Sequence, residues 1–85
     1  MKAFVHVSLK KSVLDPQGKT VQAALQRLGY SQIAAVRQGK SFELDLEPGL
    51  SEPDARQLLE RIARDVLANP VIEEYRIEVL PNGKR

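Results

Sequence analysis

Few side chains in this chain of 85 residues have the chemistry to act on a substrate. There is one histidine, His6, and no cysteine. Metal ligation needs several His, Cys, Asp or Glu side chains at matched spacing, and no such cluster occurs. His6 falls in mid-strand, where a hydrogen-bonded structural role is the simpler reading. Glu43 and Asp45 alternate along one strand, so their like charges lie near each other on a solvated face. Asp15 is a conceivable general base. However, Asp15-Pro16 is first of all a helix start. Aspartate accepts a hydrogen bond from the free N–H groups of a first helical turn, and proline at the first helical position has its φ already set. Lys10 and Lys11 flank that start, where backbone N–H groups favour anions. Arg37 and Lys40 put two cations on a short Gln38-Gly39 turn. No glycine-rich phosphate loop is present. From its residues alone, the chain reads as a small domain that is not catalytic by itself.

The elements that would carry these groups follow from periodicity. Residues 3–9 alternate, with Ala3, Val5, Val7 and Leu9 on one face and Phe4, His6 and Ser8 on the other, the pattern of a half-buried strand. From Pro16 the period lengthens. Val21, Ala24, Leu25 and Leu28 form an apolar helical stripe, and Gly29 suits the position after the helix end. This predicts a helix over 16–28 with Leu28 in the core. Ile33 to Val36 reads as a second strand within 31–38. Gln38-Gly39 supplies a tight turn. Phe42, Leu44 and Leu46 alternate with acids to form a third strand, so residues 32–47 are predicted to be a β-hairpin. Ser51 starts a second helix with Ala55, Leu58, Leu59, Ile62, Val66 and Leu67 as its apolar stripe. Its wet side would carry the pairs Glu60/Arg64 and Arg61/Asp65. Asn69-Pro70 stops it, and residues 71–80 form the last strand. One domain covers residues 1–80, followed by a polar tail, 81–85.

The order βαββαβ predicts a ferredoxin-like α/β (α+β) sandwich, a four-stranded antiparallel sheet with two helices on one face. The other face stays open. An RNA-binding domain of this topology needs aromatic side chains there. Only Phe4 qualifies, and Glu43 and Asp45 would repel phosphates. This speaks against nucleic acid as a partner despite a pI of about 9.2. The charge asymmetry invites the opposite, nucleic-acid reading, but only weakly. Residues 1–40 hold seven Lys/Arg and one acid, and residues 41–85 hold six and ten, but a sheet interleaving both halves mixes them.

A domain this small buries only about 60–65% of its unfolded surface. With no disulfide available, self-association is the expected source of further stability. Phe4, Ile72 and Leu80 are the expected anchors of such an interface. The N-terminus alternates at once, without the apolar run of a signal peptide, and no apolar stretch approaches the ~20 residues of a membrane span. A cytoplasmic location is therefore expected, with no membrane partner.

Three phrases carry a resemblance. They are Leu9-Lys10-Lys11-Ser12-Val13-Leu14-Asp15-Pro16-Gln17-Gly18, Val36-Arg37-Gln38-Gly39-Lys40, and Leu67-Ala68-Asn69-Pro70-Val71-Ile72-Glu73. In order and spacing they resemble the PurS subunit of phosphoribosylformylglycinamidine (FGAM) synthase throughout residues 1–80. The resemblance implies a role in purine biosynthesis as a small, non-catalytic subunit. It would bridge a glutaminase subunit and an ATP-dependent synthetase subunit and support ammonia transfer between them. The resemblance also implies a homodimer or higher homo-oligomer. The chain itself would bind no cofactor, and ATP, magnesium and glutamine would be used by the partners. Lys10, Asp15, Gln17, Arg37, Gly39 and Lys40 are the expected partner contacts, and Asn69-Pro70 is expected to shape a turn. On this view, replacing Arg37 and Lys40 by alanine weakens assembly and leaves melting nearly unchanged. The alternative is a stand-alone dimeric domain that senses a small ligand between protomers.

Overall fold

The structure is a computed structural model, described here for residues 1–81. The expected tail therefore lies, apart from Pro81, outside the described residues. Three strands and two helices are present: β1 (Lys2–Leu9), α1 (Pro16–Arg27), β2 (Gly39–Asp45), α2 (Glu52–Ile62) and β3 (Glu73–Leu80). The sheet is antiparallel with β1 in the middle, in the order β2-β1-β3. Val5 lies opposite Phe42 on one side and Ile77 on the other.

The alternation of β1 sets the core. Ala3, Val5 and Val7 point to one face and are buried there with Val79, against Leu59 and Ala63. Leu59 is 0% exposed. Phe42, Leu44, Leu46, Tyr75 and Ile77 pack around this cluster. The Tyr75 hydroxyl donates to Glu60 Oε2 at 2.7 Å, which ties α2 to β3.

α2 starts as expected, with Ser51 Oγ accepting from the Asp54 N–H. Its end differs from expectation. Residues Ala63–Leu67 form a wider, π-helical turn, closed by the Ala68 N–H donating to the Ala63 carbonyl. The extra residue in that turn breaks the 3.6-residue spacing. Val66 leaves the apolar stripe and is 75% exposed. The pairs expected at i,i+4 do not form: Arg64 pairs with its neighbour Asp65 at 2.9 Å, while Glu60 holds Tyr75.

Two expectations need larger correction. The segment 31–38 is not a strand, so the sheet has three strands and no hairpin spans 32–47. The sequence reason is visible in hindsight: Ile33-Ala34-Ala35-Val36 is apolar without alternating. Two of its carbonyls are turned to α1, since Gln26 Nε2 donates to the Ile33 carbonyl and Gln22 Nε2 to that of Ala34. Second, α1 does not lie on the sheet, and none of its residues belongs to the core cluster. Val21 and Leu28 are exposed, Leu28 to 72%. The helix ends where glycine was expected. Gly29 has φ +92°, and the Tyr30 N–H donates to the Leu25 carbonyl and that of Gly29 to Gln26, the paired bonds of a left-handed helix stop.

α1 and the segment 31–38 thus form an arm leaving the end of the sheet. The radius of gyration is 16.2 Å, against about 12 Å for a compact chain of this length. The long dimension is 51 Å and the short one 14 Å.

Candidate partner-docking site

The arm joins the sheet at one braced junction, and most of the residues singled out from the sequence meet there. Asp15 is its centre and is buried. Its extended backbone (φ −108°, ψ 93°) places the carboxylate over the first turn of α1. Oδ1 accepts from the Gly18 N–H at 2.9 Å. Oδ2 accepts from the Gln38 N–H at 2.7 Å, which brings in the residue just before β2. These two backbone hydrogen bonds, with the nearby Arg37 charge, hold its pKa below the ordinary 3.8 against the opposing effect of burial. Asp15 is therefore a carboxylate committed to two backbone donors.

Arg37 braces the same junction from the other side. Its guanidinium Nη2 lies 2.9 Å from the Lys10 carbonyl and 2.9 Å from that of Val13. It was expected to project from a hairpin tip. Instead, it folds back onto the loop before α1. Gln17 and Gln38 close the rim, with Gln38 Nε2 donating to Gln17 Oε1 at 2.9 Å. Gly18 is buried in the contact, and a Cβ there would collide with the Val36 carbonyl. Gly39 opens β2 with its α-carbon against the Val7 carbonyl; an added Cβ would sit 2.6 Å from that oxygen. Lys40 lies 3.9 Å from Glu73 and 5.7 Å above the Phe42 ring.

Two clefts of about 390 Å³ flank the junction. One is lined by Lys11, Asp15, Lys19 and Arg37, among others, and the other includes Gln17, Gln38, Lys40 and Glu73. Lys10, Asp15, Gln17, Arg37, Gly39 and Lys40 are therefore near one another. Sequence reasoning missed Gln22, Gln26 and Gln38. Glutamines four apart on α1 were the available signal, since side chains at that spacing share a helix face.

The three expected self-association anchors do not form one patch of equal exposure. Phe4 is only 8% exposed and stacks on the His6 ring at 6.1 Å, so it has little area to offer. Ile72 is 39% exposed and Leu80 is half-buried. The larger exposed apolar side chains include Leu14, at 68%, and Val21, Leu28, Tyr30 and Ile33 of the arm.

His6 is a satisfied structural histidine. Across the three strands, Ser41 Oγ lies 3.1 Å from Nδ1 and Glu78 Oε1 lies 3.2 Å from Nε2. Asn69 shapes the turn into β3. Its carbonyl accepts from Ile72 and Glu73, and its Oδ1 from the Val71 N–H. Among the described residues, no group of three or more His, Cys, Asp or Glu is placed to hold a metal ion, and no helix is long and apolar enough to cross a membrane.

Fold and site together define a small α+β domain whose most tightly braced polar groups serve a projecting arm. Comparison with known proteins gives that arrangement a family. The family model described as PurS, phosphoribosylformylglycinamidine (FGAM) synthase, matches residues 2–81. The Bacillus subtilis phosphoribosylformylglycinamidine synthase subunit PurS is 49% identical over 78 residues, which cover 92% of this chain and 90% of that protein. A solved structure of B. subtilis PurS superposes with a TM-score of 0.79 at 48% identity, covering 91% of this chain and 94% of that one. A chain in the structure of PurLQS from Thermotoga maritima gives a TM-score of 0.83 at 29% identity, covering 93% and 95%. The chain belongs to the PurS family, the small subunit of FGAM synthase in purine biosynthesis. These likenesses favour the subunit reading over a stand-alone ligand-sensing domain.

Proposed function

We propose that this chain is the bridging subunit of a cytoplasmic FGAM synthase complex, holding a glutaminase subunit against an ATP-dependent synthetase subunit so that ammonia passes between them. The observation that carries the reading is the family match over residues 2–81, together with the Thermotoga maritima PurLQS chain that shares the fold. In this account the chain binds no cofactor of its own, and ATP, magnesium and glutamine act in the partner subunits. The junction residues Lys10, Gln17, Gly39 and Lys40 lie where a partner subunit could reach them, while Asp15 and Arg37 hold that surface in shape.

The chain also self-associates, and the arm is the element that does it. A helix this short is marginal in water, and most helices in proteins are stabilised by packing an apolar face. The stripe of α1 has no such cover within its own chain, as the exposure of Val21 and Leu28 shows. Among the described residues the outer edge of β2 is also unpaired, because β2 ends the sheet, and an open edge is a template for another strand. A second copy of the chain supplies both needs: its arm covers the stripe, and its segment 31–38, not a strand within its own chain, pairs with the open edge as a fourth strand through the backbone groups that Gln22 and Gln26 leave free. Sedimentation equilibrium tests this. A homodimer or higher homo-oligomer that Leu25→Glu dissociates is expected, and a monomer at all concentrations would contradict it. Gel filtration with both catalytic subunits tests bridging. Co-elution of all three chains is expected, and failure of this chain to elute with either would contradict it.

A further inference from the structure

We infer that Asp15 is a positioning residue, a latch whose two carboxylate oxygens fix the direction in which the arm leaves the sheet and so present the arm to a second copy of the chain. The inference rests on the reading that the arm is the self-association element. It goes beyond it by naming what aims the arm.

The geometry separates two tasks on two atoms. Oδ1 holds the Gly18 N–H and serves the start of α1. Oδ2 holds the Gln38 N–H and serves the start of β2. Only the second bond crosses from one end of the arm to the other, 23 residues apart in sequence. The arm has no core contact to aim it. Its bearing on the sheet depends on this crossing bond, on the Arg37 bonds to the Lys10 and Val13 carbonyls, and on the Gln38–Gln17 bond. The Asp15 bond is the shortest of these and the least exposed. Gly18 allows it, because a side chain there would push the Val36 carbonyl and the Asp15 carboxylate apart. The charges around the latch come from every neighbouring element: Lys11 before α1, Lys19 on it, Arg37 beside it, Lys40 on β2 and Glu73 on β3.

Asp15→Asn splits the two tasks. Asparagine is as good a helix N-cap as aspartate. Its Oδ1 keeps the Gly18 bond, while its amide nitrogen meets the Gln38 N–H donor to donor. The test compares self-association of the full-length chain by sedimentation equilibrium, with hydrogen exchange read at the Gln38 amide and helix content by circular dichroism. The variant is expected to keep its helix content, to lose protection at Gln38, and to self-associate about tenfold more weakly or worse, the size of losing a charge-assisted hydrogen bond. A helix cap alone would not produce that pattern. Unchanged self-association with Gln38 unprotected overturns the latch. Leu25→Glu separates the two readings. If it dissociates the assembly while Asp15→Asn does not, only the latch fails. If it has no effect, the arm reading fails and the latch with it. Should Asp15→Asn not fold, Gln38→Pro removes the N–H that Oδ2 holds while leaving the Gly18 bond, and wild-type association by that variant overturns the latch.

Discussion

The guanidinium of Arg37 donates to the Lys10 carbonyl at 2.9 Å, across 27 residues of sequence, and to the Val13 carbonyl at the same distance. This alters what an arginine in a hairpin-like phrase was expected to do. It is a brace before it is a contact. Arg37→Ala takes a donor from both carbonyls, leaving that of Lys10 with the Val13 N–H alone, and is expected to lower stability by about 1 kcal/mol, less than a buried charge-assisted bond because the site is exposed. Arg37→Lys should recover only part, since an ammonium lacks the planar fork. Urea denaturation of the two variants checks this, and a wild-type midpoint for Arg37→Ala would show the brace is idle.

Gly18 makes the junction possible. A methyl group there collides with the Val36 carbonyl and comes within 2.9 Å of Asp15 Oδ2. Elsewhere in a helix, alanine would be the better helix former. Here Gly18→Ala is expected to destabilise by about 1–3 kcal/mol, the range for forced overpacking. Thermal melting decides the sign: a rise in melting temperature would mean that the arm does not pack where it is described.

Two leucines with similar sequence context should behave in opposite ways. Leu59 is fully buried in the core, and Leu59→Ala should cost ~2–5 kcal/mol whatever the protein concentration. Leu28 sits in a stripe of the same period but is 72% exposed within its own chain. Leu28→Ala should change stability little in the dissociated chain, with its cost appearing as weaker association. Melting curves at low and high protein concentration distinguish the two, because association stabilises by an amount that grows with the logarithm of concentration.

Asp15 gives the junction a pH signature. Its carboxylate pKa is depressed in the fold by the Gly18 and Gln38 N–H groups. The stability it adds is thus present above the unfolded pKa of about 3.9 and is lost as pH falls through the depressed value. The slope of unfolding midpoint against pH below 4 should be smaller in Asp15→Asn than in the wild type. Equal slopes would show that Asp15 is not the titrating group.

The parts of the fold that the sequence disclosed are those where one period or one cap has a single meaning. The alternation in 3–9 and 42–46, the Asp15-Pro16 and Ser51 starts, the Gly29 stop and the Asn69-Pro70 turn were all legible. The arm was not. An apolar stripe such as Val21-Ala24-Leu25-Leu28 states that a helix needs cover, and it carries no information on which chain provides it. Likewise, Ile33 to Val36 reads as a strand by composition. The carbonyls of Ile33 and Ala34 are instead held by Gln26 and Gln22, pairings that propensity does not encode. Of the junction, Asp15 was legible as a cap through Oδ1. Its second bond, to Gln38, depends on tertiary placement alone.

The central claim is that this chain completes an FGAM synthase. Its most direct test is glutamine-dependent formation of phosphoribosylformylglycinamidine by synthetase and glutaminase subunits purified from the same source, with ATP and magnesium, measured with and without this chain. Activity that appears only on adding the chain, saturating at a fixed ratio of subunits, is the predicted result. Full activity from the two catalytic subunits alone, unchanged by the chain, would contradict the account.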